Sequence, residues 1–86
     1  MSEVEVGKVT DFFAKPVVAG IELSGPLRVG DRLHIKGSST DMELAVESMQ
    51  IERVNVTEGK PGDIVGIIVP DRVRPGDRVY RITEGP

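Results

Sequence analysis

Gly25-Pro26-Leu27-Arg28-Val29-Gly30-Asp31-Arg32-Leu33-His34-Ile35-Lys36-Gly37 reads as a turn followed by a strand, and the rest of the chain is organised around it. Gly accepts positive φ and Pro pre-sets its own φ, so Gly25-Pro26 and Gly30-Asp31 form turns. Leu33 and Ile35 then alternate with Arg32, His34 and Lys36, the pattern of a half-buried strand starting at about Arg32. The same device recurs as Val73-Arg74-Pro75-Gly76-Asp77-Arg78-Val79, and Gly62-Asp63 opens a further apolar run. Three Gly-Asp turns therefore punctuate one small β-protein.

Working outward, Val4 to Phe13 reads as a strand whose apolar residues change phase, Val4 and Val6 against Val9 and Phe13. A bulge at Gly7 or Lys8 would reconcile them. Lys15-Pro16 breaks the run. Val17, Ala19, Ile21 and Leu23 share one face of the next strand. Met42 to Arg53 contains good helix formers, yet its alternation favours a long strand bent near Ser48. Ile64 to Val69 is apolar except at Gly66, as a strand covered on both faces would be. Pro70 ends it, and Val79 to Ile82 forms the last strand. Short strands with no convincing helix predict an all-β fold, a small closed antiparallel β-barrel of about six strands, since closure removes exposed edges. One domain is expected over residues 1–86, with its core at about 4–82, a flexible N-terminus at 1–3 and a tail at 83–86.

A chain of 86 residues buries only about 60 to 65 % of its unfolded surface, too little for a second core. Aromatic residues make up 3 %, so Val, Ile, Leu and Met must build the interior. Cysteine is absent, which removes disulfides, thiolate catalysis and cysteine metal sites and fits a reducing compartment. No apolar run approaches the roughly 20 residues that span a membrane. A cytoplasmic location is expected, with no membrane association. The net charge of −3 argues against dominant binding to a phosphate backbone. Asn55-Val56-Thr57 matches a glycosylation sequon and is expected in a surface loop.

No catalytic constellation emerges. His34, the one histidine, falls between Arg32 and Lys36 on the solvent face, where cationic neighbours disfavour the imidazolium and no carboxylate orients it. Asp31, Asp63 and Asp77 each follow a turn glycine, so capping of backbone N–H groups explains them and no metal site is expected. Two groups could bind partners. Arg28, Arg32, Arg72, Arg74, Arg78 and Arg81 would form a basic patch for RNA or an acidic surface if their turns lie at one end of the barrel. Phe13, Val18, Ile64 and Ile68 fall opposite the inferred core set and would make an exposed apolar patch, for a partner or for self-association. Phe12 and Phe13, adjacent on a strand, must point to opposite faces.

The run Val18 to Ile35, with Glu58-Gly59-Lys60-Pro61-Gly62-Asp63-Ile64-Val65-Gly66 and Pro75-Gly76-Asp77-Arg78-Val79, resembles the second domain of the translational GTPases, such as elongation factor Tu and initiation factor 2. The likeness covers about Gly7 to Ile82 and rests on structural glycines, which carry fold better than activity. It implies a stand-alone barrel, non-enzymatic and free of cofactors, that docks onto a translation-related protein or ribonucleoprotein. There is no phosphate-binding loop, so no GTP binding is expected. In that family the barrel helps hold a tRNA 3′ end, and the corresponding positions here are Glu22, Leu27 and Gln50. Glu22 puts a carboxylate where an apolar wall is implied, and desolvating it beside a base opposes inherited binding. Direct RNA binding through the arginines is one alternative and a small enzyme using His34 a second.

Overall fold

The computed structural model describes residues 2–14 and 17–83. Lys15-Pro16 and the tail beyond Thr83 lie outside the described residues. Ten strands follow one another: β1 (Ser2–Ala14), β2 (Val17–Leu23), β3 (Leu27–Arg28), β4 (Arg32–Lys36), β5 (Asp41–Ala45), β6 (Met49–Ile51), β7 (Val54–Val56), β8 (Glu58–Gly59), β9 (Ile64–Ile68) and β10 (Arg78–Thr83). No helix occurs among the described residues. Eight strands form one antiparallel sheet in the order β5-β4-β10-β1-β2-β9-β6-β7, and β3 and β8 form a separate ribbon.

The expected closed barrel is not found. The sheet runs from β5 to β7, and no ladder joins those two strands. Val46 leaves the line of β5 and bonds to the Gly30-Asp31 turn, its N–H donating to Asp31 O and its carbonyl accepting from Gly30 N. Pro70, which has no N–H to donate, follows the end of β9 across from β5. A groove of about 330 Å³ is left between Glu43 to Ala45 and Ile68 to Pro70. The long bent strand expected over Met42 to Arg53 is likewise divided, into β5, β6 and the start of a turn.

β1 crosses the sheet with two irregularities. Its register against β10 shifts between Glu5 and Gly7, and against β2 between Val9 and Asp11. The first lies one residue before the expected bulge, and together they bring both Val6 and Val9 into the core. The core is one cluster of aliphatic side chains, with Ala19, Ile21, Leu23, Leu33, Ile35, Val65, Ile67 and Val79 at alternate strand positions. Asn55, expected in a loop, stands exposed on β7.

The three Gly-Asp turns share one construction. Gly30, Gly62 and Gly76 have φ near +100°, where a Cβ would be strained. Each following carboxylate accepts the backbone N–H three residues before it: Asp31 from Arg28 at 2.9 Å, Asp63 from Lys60 at 3.0 Å and Asp77 from Arg74 at 2.9 Å.

Candidate functional site

The outer face of β1, β2, β9 and β6 carries the apolar residues picked out by sequence. Cross-strand register places them in rows. Phe13, Val18 and Ile68 form one row; Asp11, Gly20, Gly66 and Gln50 form the next; Lys8, Glu22 and Ile64 form the third. The middle row has two glycines at its centre, so the sheet backbone is bare between two flanking rows of side chains. The result is a trough of about 550 Å³, bordered by Asp11, Phe13, Val18, Gln50 and Ile64. Phe13, Ile64 and Ile68 are 57 %, 57 % and 59 % exposed, so β9 is covered on one face only, contrary to the reading of its apolar run. Phe12, on the opposite face of β1, packs against the core.

The rim is completed by the β6–β7 turn, whose central residues Glu52 and Arg53 have φ of 51° and 67°. A two-residue type I′ hairpin turn requires positive φ at both positions, and Asn-Gly usually supplies it. Glu-Arg gives no such signal, so the turn was not legible. Gly20 and Gly66 did carry one, since a glycine inside a strand pattern marks a close backbone approach.

The same outer side continues from β1 onto β10, β4 and β5, where Lys8 stands opposite Arg78, and this half is polar and internally paired. His34 Nδ1 lies 2.6 Å from Glu3 Oε2 and Nε2 lies 2.5 Å from Asp41 Oδ1. The hydrogen bond to Glu3, then that to Asp41, raises the His34 pKa above its ordinary value and outweighs the opposing effect of burial. Glu3 is held low by its hydrogen bond to His34 and then by that to Lys36, whose own pKa is raised chiefly by Glu3. The sequence placed His34 among cations on an exposed face. Its side chain is instead 14 % exposed, between carboxylates from two other strands. Both ring nitrogens are engaged by those carboxylates, which leaves none free to activate a nucleophile.

Three of the six arginines pair with carboxylates of the same chain. Arg28 pairs with Glu58 at 3.5 Å, Arg32 with Glu43 at 3.9 Å and Arg78 with Glu5 at 2.9 Å. Arg72 lies over the Phe12 ring at 6.0 Å. Arg74 is exposed, and Arg81 is half-buried with Nε unpartnered. Of the three family-pocket positions, Leu27 is buried in the core, while Glu22 and Gln50 stand exposed on the outer face. No group of carboxylates and His arranged to hold a metal occurs among the described residues, and no helix there is long and apolar enough to cross a membrane.

Two similar solved structures are crystal structures, one of them of a selenomethionine variant, of the C-terminal domain of a Geobacillus thermoleovorans protein described as a putative U32 peptidase. One superposes with a TM-score of 0.85 at 18 % identity, covering 88 % of this chain and 96 % of that one. The other gives 0.86 at 17 %, covering 92 % of each. The fold is that of this peptidase C-terminal domain.

In sequence, the chain is 42 % identical over 83 residues to an uncharacterized protease of Methanocaldococcus jannaschii, a match covering 95 % of the chain and 20 % of that protein. It is 35 % identical over 81 residues to a collagenase of Porphyromonas gingivalis, covering 92 % of the chain and 20 % of the collagenase. The chain thus spans about a fifth of the length of these curated relatives. No protein-family model matches it. These likenesses overturn the translation-factor resemblance, whose shared features are turn glycines that small β-folds have in common. The expected docking onto translation machinery, with its RNA and His34 alternatives, falls with it. So does the expectation of a chain unconnected with enzymes, because the relatives are named protease and collagenase.

Proposed function

We propose that this chain is the C-terminal β-domain of a U32-type peptidase and serves polypeptide hydrolysis by that larger protein. The observation that carries the reading is the 42 % identity with a protease through 95 % of the chain. The fold shared with isolated U32 C-terminal domains supports it, and so does a trough whose apolar walls suit a polypeptide segment. The chain acts as one domain around a single core, and its freedom from cysteine suits a cytoplasmic setting.

The experiment uses the Porphyromonas gingivalis collagenase. Its matching fifth is deleted in one variant and replaced by this chain in another, and collagen cleavage is followed by both. The chimera is expected to cleave and the deletion variant to lose cleavage. A deletion variant that cleaves at the native rate overturns the reading.

A further inference from the structure

Charges on the two halves of the sheet's outer side are treated differently. On the β10-β4-β5 half His34, Lys36, Arg32 and Arg78 all sit in ion pairs with carboxylates of the same chain. Around the trough, Asp11, Glu52 and Arg53 are exposed and take part in no ion pair among the described residues. They border the apolar side chains of Phe13, Val18 and Ile64, over a bare glycine floor. Two non-glycine residues in left-handed conformation hold the rim, a strain that persists at binding surfaces more often than elsewhere. Apolar side chains and unpaired charges are thus gathered on the β1-β2-β9-β6 half of the outer side, while the β10-β4-β5 half pairs its charges within the chain.

We infer that the trough seats the remaining four fifths of the peptidase polypeptide, through an apolar segment carrying a basic residue opposite Asp11 or Glu52 and a carboxylate opposite Arg53. This rests on the peptidase reading above. The relatives carry that additional polypeptide on the same chain, and an apolar face of one module is ordinarily covered by its neighbour. The bare backbone at Gly20 and Gly66 lets the docked segment approach the sheet more closely than any side chain would allow.

The chain has no cysteine, which permits a direct test. Ile64→Cys places a thiol on the trough wall, and Arg32→Cys places one on the paired half. Maleimide labelling of each site is timed by mass spectrometry in the isolated chain and in the collagenase chimera. The isolated chain is a fair reference, because the corresponding Geobacillus domain was crystallised by itself. The thiol from Ile64→Cys is expected to label at least tenfold more slowly in the chimera, and that from Arg32→Cys within twofold of the isolated chain. Equal labelling at position 64 in both proteins overturns the inference. Concentration-dependent protection already present in the isolated chain means a second copy occupies the trough, and protection that appears only when collagen is added means substrate does; either overturns it too. The peptidase reading is tested separately, since a chimera that cleaves collagen with position 64 fully open loses the docking and keeps the activity.

Discussion

Gly37→Ala offers a sharp test of how the third Gly-Asp turn is held. Asp77 is 6 % exposed, and its carboxylate accepts the Arg74 N–H at 2.9 Å. A methyl group on Gly37 would overlap that carboxylate, with Asp77 Cγ only 2.5 Å away. The side chain must therefore leave its capping position. A hydrogen bond to a charged group contributes about 1.5 to 3 kcal/mol, and because water can reach the exposed Arg74 the lower part of that range applies, about 1.5 to 2 kcal/mol. The same turn is tied to β1 by Gly76 N to Val9 O at 2.7 Å and Val9 N to Asp77 O at 2.8 Å, so the loss is felt in the sheet. For a domain of this size the melting temperature should fall by roughly 6 to 16 °C. The assay is thermal unfolding of Gly37→Ala, Asp77→Ala and the double variant. With the carboxylate already gone, the added methyl meets nothing charged and should be neutral or slightly stabilising. A Gly37→Ala cost that is the same in both backgrounds would refute the reasoning.

Stability should also depend on pH through the His34 cluster. The raised His34 pKa stabilises the fold fully below the unfolded value of 6.5 and ceases to do so as pH climbs through the folded value, while the lowered Glu3 pKa stabilises above 4.5 and fails on acidification. Melting temperature should therefore peak between about pH 4.5 and 6.5, the ordinary values of the two groups, and decline as pH climbs through the raised His34 value; a His34→Gln variant with an unchanged pH profile would argue against this. Arg53→Gly should raise stability by about 1 kcal/mol, since it relieves a left-handed conformation at φ 67°, and a lower melting temperature would show that the turn is unstrained. Gly66→Val should fold as well as the parent, because a Cβ there meets Val18 Cγ1 at an ordinary 3.4 Å; a fall of more than about 8 °C, roughly 1 to 2 kcal/mol, would show that the trough floor is needed for folding.

What could be read from the sequence was local. The Asp31, Asp63 and Asp77 caps bond three residues away, so turn chemistry alone identifies them. Alternation likewise separates Phe12 from Phe13, and Ile64 and Ile68 from Val65 and Ile67, at the cost of no knowledge of topology. The His34 clasp was invisible because Glu3 lies 31 residues away in sequence and reaches it only across β10. The open seam between β5 and β7 depends on where Val46 docks, which no pattern of strand residues specifies. The trough needed Gly20 and Gly66 to fall in register, although each was visible separately as an interruption. The translation-factor resemblance drew on the turn glycines themselves, and these report the geometry of tight β-turns without reporting kinship.

The most direct test of the account compares the rate of collagen cleavage by the collagenase chimera carrying this chain with the rate of the same chimera carrying Gly66→Val. If the trough serves the peptidase, filling its floor should slow cleavage at least tenfold while the melting temperature stays within a few degrees. Equal cleavage rates with an equally stable domain would contradict it.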